Sequence, residues 1–66
     1  MRHAITLYRG PQAWMARHTD PEVTRLFGTD TLPTAFTEQA EPAEVLAYLR
    51  EANPELTVRM VEGGAA

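Results

Sequence analysis

The chain has 66 residues, of which 44% are hydrophobic and 23% are charged, a balance typical of one small globular domain. It contains no Cys, Ser or Lys, which excludes disulfides, thiolate metal sites and covalent catalysis by Ser, Cys or Lys. The net charge of −3 is unfavourable for a nucleic-acid binder, and no apolar stretch is long enough to span a bilayer. We therefore expect a soluble cytoplasmic protein without a cofactor. Its Arg and Ala bias indicates a GC-rich bacterial or phage genome.

Residues 5–18 are predicted to form a β-hairpin. Gly10 and Pro11 fit the central positions of a type II′ turn, because Gly accepts a positive φ and Pro supplies the negative φ that follows. The resulting cross-strand pairs include Arg9 with Gln12, Tyr8 with Ala13, Leu7 with Trp14 and Thr6 with Met15. Alternation then gives a core face of Ile5, Leu7, Trp14 and Ala16, and an opposite face of Thr6, Tyr8, Met15 and Arg17.

A short helix is predicted directly after the hairpin. Asp20 can cap it, Pro21 suits its first position, and Glu22 meets the positive end of the helix dipole. Gly28 ends it as a left-handed cap. Its apolar stripe, which we expect to pack on the hairpin, consists of Val23, Leu26 and Phe27.

The next segment contains an extended stretch around a proline. Its threonines, with Leu32 and Phe36, favour a strand, whereas Pro33 excludes a central position in a sheet. We therefore predict a short edge strand at Thr34–Gln39. A loop that wraps over the core is the alternative.

A second helix and a last strand follow. The helix is predicted at residues 41–53, with Pro42 at its first position and Pro54 directly after its end. Its buried stripe is Val45, Leu46, Leu49 and Ala52, with Tyr48 at the margin. The strand, at residues 56–61, places Leu56, Val58 and Met60 on one face. We expect a single domain at residues 1–62 and a flexible C-terminal tail at residues 63–66.

These elements predict a two-layer α+β domain. Its antiparallel sheet has three to four strands in the order β-β-α-(β)-α-β, and two helices cover one face. The expected core is Ile5, Leu7, Trp14, Val23, Leu26, Phe27, Phe36, Val45, Leu46, Leu49, Leu56, Val58 and Met60.

Five short segments of this order resemble the N-terminal domain of HicB-type antitoxins. They are ITLYR, AWMAR, DPE, TAFTEQA and PAEVLAYLREA. The resemblance implies a non-catalytic domain that binds a partner protein and dimerises through its sheet or strand edges. The helix at residues 23–27 and the TDTLPT segment depart from the family pattern. No separate DNA-binding segment follows the last strand, a departure that puts in doubt the operator binding of this family.

Two histidines could form a site at the open end of the hairpin. The predicted register places His3 opposite His18, with Asp20 nearby, and this set could hold a divalent metal or form a pH-sensitive contact. Partly exposed histidines at a hairpin end are the simpler interpretation, and we expect no metal site. Asp20 and Glu22 already serve the helix start, so we expect no catalytic residues.

The face of the sheet away from the helices combines residue types that are enriched at protein interfaces. We predict that it binds a protein partner or a second copy of the chain, as a homodimer; an ordinary solvent-facing surface is the alternative. The predicted contact residues are Tyr8, Met15, Arg17, Arg59 and Val61. The alternative function is a small nucleic-acid-associated regulator, since Arg and Tyr on an open sheet can bind single strands. Such surfaces normally carry more aromatic side chains than this one.

Overall fold

The computed structural model describes residues 2–61, and the predicted tail at residues 63–66 lies outside them. Within this range the chain forms four strands and two helices. In chain order they are β1 (Ala4–Arg9), β2 (Ala13–His18), α1 (Pro21–Phe27), β3 (Thr31–Thr37), α2 (Pro42–Ala52) and β4 (Thr57–Met60). The predicted α+β class and order of elements are confirmed.

The strands form one sheet in the order β3-β2-β1-β4. β2 pairs antiparallel with β1 and with β3, whereas β4 pairs parallel with β1. The sheet is therefore mixed, and not wholly antiparallel as expected from the sequence. The direction of β4 follows from α2, because this helix carries the chain from the end of β3 back to the end of the sheet at which β1 begins.

The hairpin of β1 and β2 has a register that differs from the predicted one. Arg9 lies opposite Trp14 and Leu7 lies opposite Ala16, so the predicted pairs of Arg9 with Gln12 and Leu7 with Trp14 are wrong. The shift is by two residues, and side chains alternate with a period of two, so every side chain keeps its predicted face. Leu7 and Trp14 therefore share the core face as diagonal neighbours.

The turn of this hairpin differs as well. The Gly10 amide donates to the Ala13 carbonyl at 2.9 Å, which leaves Pro11 and Gln12 at the tip. Among residues 2–61 only Gly28 has a positive φ, so Gly10 does not adopt the left-handed conformation of the predicted type II′ turn. Gly10 is required for space instead, because a Cβ there would lie 2.8 Å from the Ala13 carbonyl oxygen.

Gly10→Ala is therefore expected to destabilise the hairpin. The added methyl group meets a backbone oxygen and, at 3.0 Å, the Cγ atom of Met15. Overpacking of this kind costs about 1–3 kcal/mol, more than the roughly 0.4–1 kcal/mol that a Gly to Ala change gains through the unfolded chain. Urea denaturation followed by Trp14 fluorescence measures the loss. Gln12→Ala, at the exposed tip, is the control, and equal midpoints for the two variants would show that the clash is absent.

The core lies between the sheet and α2. The buried side chains are Ile5, Leu7, Trp14, Ala16, Val45 and Val58. Packed around them are the half-buried side chains of Phe36, Ala40, Leu46, Leu49, Leu56 and Met60. Trp14 is the largest buried residue, and its indole Nε1–H donates to the Ala40 carbonyl at 3.1 Å. The core predicted from the strands and α2 is confirmed, except that Ala52, predicted on the buried stripe of α2, is exposed.

α1 begins and ends at the predicted residues. The Asp20 carboxylate accepts a hydrogen bond from the Glu22 amide at 2.9 Å, and Pro21 occupies the first turn. Gly28 closes the helix with a φ of 78°, and its amide donates to the Thr24 carbonyl at 2.8 Å. The local signals in the sequence therefore specify this helix fully.

The predicted packing of α1 is wrong. Leu26 is 65% exposed, Phe27 is 61% exposed, and no residue of α1 is buried, so only α2 covers the core face. The cause is the connection that contains α1. β2 and β3 are antiparallel neighbours, and the His18 amide donates to the Asp30 carbonyl at 2.7 Å where they meet. The intervening residues thus remain at one end of the sheet and do not cross its face.

β3 is an edge strand, so the predicted strand is confirmed and the alternative loop is wrong. It begins three residues earlier than predicted, at Thr31, and it includes Pro33. Pro33 lies opposite Met15 in an outer strand, where a missing backbone donor is tolerated because one side of the strand faces no partner. A bulge between Ala13 and Met15 interrupts the pairing of β2 with β3.

Candidate interaction surface

The side of the sheet opposite α2, called the open face below, is not covered by either helix of the described range. All four strands contribute larger side chains to this face, and so does Val61, which directly follows β4. The strand residues are Thr6, Tyr8, Met15, Arg17, Thr31, Pro33, Thr57 and Arg59. All five predicted contact residues are on this face. The pairing registers arrange most of these side chains in two rows that cross the strands.

The first row, called the cationic row below, carries two arginines. Thr6 on β1 lies opposite Arg17 on β2 and opposite Arg59 on β4, so it stands between two arginines on this face. Thr31 extends the row onto β3, beside Arg17. Adjacent strands are about 4.8 Å apart, so the backbones of Arg17 and Arg59 are about 10 Å apart.

The side chains of these two arginines differ from the others in having no polar partner among residues 2–61. Neither the Arg17 nor the Arg59 side chain forms a hydrogen bond or an ion pair with any residue in the described part of the chain. The four remaining arginines do: Arg2 donates to the Glu55 carbonyl, Arg9 to the Glu38 carbonyl, Arg25 to the Glu22 carboxylate and Arg50 to the Val58 carbonyl. Both unpartnered side chains are exposed and can bind an anion without breaking an existing contact.

The second row, called the apolar row below, lies one step further along the strands. Tyr8 lies opposite Met15, and Met15 lies opposite Pro33. The Val61 amide donates to the Leu7 carbonyl at 2.9 Å, which places Val61 beside Tyr8. Tyr8 and Met15 are half-buried, while Val61 is 46% exposed. The row therefore offers contiguous apolar surface next to the arginines.

A depression joins the two rows. It has a volume of about 340 Å³, opens widely to solvent, and is lined by Thr6, Tyr8, Arg17 and Val61. None of the four strands carries an acidic residue, so the positive charge of this face is not compensated within the sheet. The described acidic residues belong to helices, turns and loops: Asp20, Glu22, Asp30, Glu38, Glu41, Glu44, Glu51 and Glu55.

The prediction that His3 lies opposite His18 is wrong. His18 lies opposite Ile5, because the register is shifted by two residues. His3 instead approaches Asp20, with 3.9 Å between its Nε2 atom and the Asp20 Oδ1 atom, and both side chains are partly exposed. No set of three potential metal ligands occurs among residues 2–61. These side chains therefore form a surface contact between the start of β1 and the start of α1.

The sequence placed the five predicted contact residues on one face of the sheet but did not predict their arrangement. Thr6 becomes the centre of the cationic row only because β4 is parallel to β1, which brings Arg59 beside it. Thr31 and Pro33 join the face because β3 starts earlier than predicted. The alternation within each strand indicated which side chains share a face, but no sequence signal indicated which of them are neighbours.

Neither a protein-family model nor a curated protein nor a solved structure matches this chain. Of the two helices in the described range, neither has the length and apolar character required to cross a membrane. The chemistry of the open face therefore carries the functional proposal.

Proposed function

We propose that the chain is a non-catalytic protein-interaction module of the cytoplasm, which binds a partner protein or a second copy of itself through the open face. The observation that carries this proposal is the composition of the face. Two arginines without a partner in residues 2–61 lie beside a half-buried Tyr and a half-buried Met. These residue types are enriched at interfaces, where they provide large contact areas and directional hydrogen bonds.

A second copy of the chain is a suitable partner for a domain of this size. A chain of 66 residues buries only about 60% of the surface that its unfolded form exposes, and its stability is correspondingly small. Among residues 2–61, only six buried side chains form the centre of the core. Association that requires the folded state raises the apparent stability, so a homodimer offsets this deficit.

The resemblance to HicB-type antitoxin domains supports the same proposal. Those domains bind a partner protein and catalyse no reaction, and the segments that carry the resemblance include both strands of the hairpin and α2. An antitoxin-like role is therefore part of the proposal. A toxin-like reading frame beside the gene would favour this role over other protein partners.

Tyr8→Glu is expected to remove protein binding at the open face. The new carboxylate replaces the ring at the centre of the apolar row and would be desolvated by any partner that covers it, at a cost of several kcal/mol. In sedimentation equilibrium the wild-type mass should rise above 7.4 kDa with concentration, whereas the Tyr8→Glu mass should not. Affinity capture from the native host after nuclease treatment, with both proteins as bait, tests binding of other proteins.

Thr24→Glu, on the exposed side of α1, is the matched control because it adds the same charge away from the open face. It should associate and capture proteins as the wild type does. A mass of 7.4 kDa at every concentration, together with identical proteins retained by the wild type and by Tyr8→Glu, would overturn the proposal.

A further inference from the structure

The outer side of α2 has a composition that complements the open face. Glu44, Tyr48 and Glu51 follow one another at intervals of four and three residues, so they lie on the same side of the helix. All three are exposed, Tyr48 by 57%, whereas Val45, Leu46 and Leu49 of the same helix pack in or against the core. We call these three residues the outer stripe. It presents two carboxylates with an aromatic ring between them.

Spacing and charge match between the two surfaces. Glu44 and Glu51 are seven residues apart, which is about 10.5 Å along a helix, and the two arginines of the cationic row are about 10 Å apart. Neither carboxylate forms an ion pair or a hydrogen bond within residues 2–61. Tyr48 is held in place by the ring of Phe36, with 5.2 Å between the ring centroids. Its ring therefore already has a fixed position when it contacts the apolar row of a second copy.

We propose that the open face of one copy binds the outer stripe of α2 of a second copy. This inference rests on the proposed function and specifies its partner. Glu44 and Glu51 of one copy approach Arg17 and Arg59 of the next, and Tyr48 lies on the apolar row. The two surfaces are on different sides of the domain, so the contact is head-to-tail. The copy that contributes its open face retains a free stripe, and the copy that contributes its stripe retains a free open face.

A symmetric contact between two open faces is less favourable. It would bring four arginines into one interface, and no strand of either copy supplies a carboxylate to pair with them. Charges that lose water without gaining a partner destabilise an interface strongly. The outer stripe provides the missing carboxylates.

The edges of the sheet are also poor sites for association. On β3, the Thr31 amide already donates to the Thr29 hydroxyl at 3.2 Å, and Pro33 has no amide to offer. On β4, the Val58 carbonyl already accepts a hydrogen bond from the Arg50 Nε atom at 3.2 Å. Side-chain caps and proline on outer strands oppose pairing with another chain. The open face is therefore the favoured surface.

The contact is expected to be weak. A helix of 11 residues is about 16 Å long and about 10 Å wide, which is small compared with the roughly 800 Å² per partner in a standard stable interface. Exposed ion pairs contribute little each and are screened by salt. We therefore expect association in the high micromolar range at low salt, and dissociation in 1 M NaCl, where the Debye length is about 3 Å.

Two complementary variants test the head-to-tail contact by sedimentation equilibrium. The face variant carries Arg17→Glu and Arg59→Glu, and the stripe variant carries Glu44→Gln and Glu51→Gln. Each variant alone should associate at least about tenfold more weakly than the wild type. Mixed together, they should form a one-to-one complex with wild-type affinity, because the face variant supplies an intact stripe and the stripe variant supplies an intact face.

Matched controls and outcomes separate this inference from the proposed function. Glu38→Gln with Glu55→Gln removes the same charge from sites outside α2 and should associate as the wild type does. If the wild type associates but the mixture does not restore the complex, the inference is overturned and self-association through another contact remains. A wild type that stays monomeric overturns the inference, and the Tyr8→Glu capture then decides the function. Binding of a single-stranded oligonucleotide that Arg17→Glu abolishes overturns it in favour of a nucleic-acid partner.

Discussion

Trp14→Ala is expected to lower the free energy of unfolding by about 3–5 kcal/mol, because Trp14 is the largest fully buried side chain. Trp14 is 1% exposed, and it fills the space between β2 and the turn before α2, where its Nε1–H donates to the Ala40 carbonyl. Domains have about 0.05–0.15 kcal/mol of stability per residue, which gives about 3–10 kcal/mol for 66 residues. The substitution therefore removes a large share of the total and can unfold the domain at 25 °C.

Urea denaturation followed by far-UV circular dichroism measures this loss, because the variant has no tryptophan to report by fluorescence. Trp14→Phe is the informative companion: it keeps most of the ring but leaves the Ala40 carbonyl without its donor, at a cost of about 1–3 kcal/mol. A Trp14→Ala protein within 1 kcal/mol of the wild type would show that the indole is not in the core.

Leu7→Ala and Leu26→Ala are expected to differ widely although the two substitutions are chemically identical. Leu7 is fully buried on β1, and truncation of such a side chain costs about 2–5 kcal/mol through lost burial and the cavity that remains. Leu26 is 65% exposed on α1, and substitutions at exposed sites change stability by about 0.5 kcal/mol or less. Thermal and urea unfolding of the two variants under the same conditions measures the difference.

The comparison tests the position of α1. If Leu26→Ala destabilised the protein as strongly as Leu7→Ala, α1 would have to pack its apolar stripe on the sheet, as the sequence predicts. The exposed Phe27 provides an independent check, since Phe27→Ala should also leave the unfolding midpoint almost unchanged.

Alternation within strands was the most reliable signal in the sequence. It assigned Leu7 and Trp14 to one face and Tyr8 and Arg17 to the other, and these assignments tolerate the error in register because that error is an even number of residues. The register itself depended on the turn. Gly10 and Pro11 fit two different turns equally well, and only the contacts of the folded hairpin distinguish them.

The placement of elements could not be predicted from local patterns. The stripe of Leu26 and Phe27 has the spacing of a buried helix face, but burial depends on where the connection lies, and this connection joins adjacent strands at one end of the sheet. Likewise, the residues of β4 define its two faces but not its direction. The path of α2 determines that direction, and with it the position of Arg59 beside Thr6.

The connection between β2 and β3, which contains α1, leaves the sheet and returns to it at closely spaced residues. Before α1, the Thr19 amide donates to the Ala4 carbonyl at 3.0 Å. After α1, where the chain returns to the sheet, the Asp30 carbonyl accepts a hydrogen bond from the His18 amide at 2.7 Å. These bonds attach both ends of the connection to the sheet. Residues 20–29 are therefore a natural grafting site, in which a longer or unrelated peptide can be displayed without rebuilding the domain that carries it.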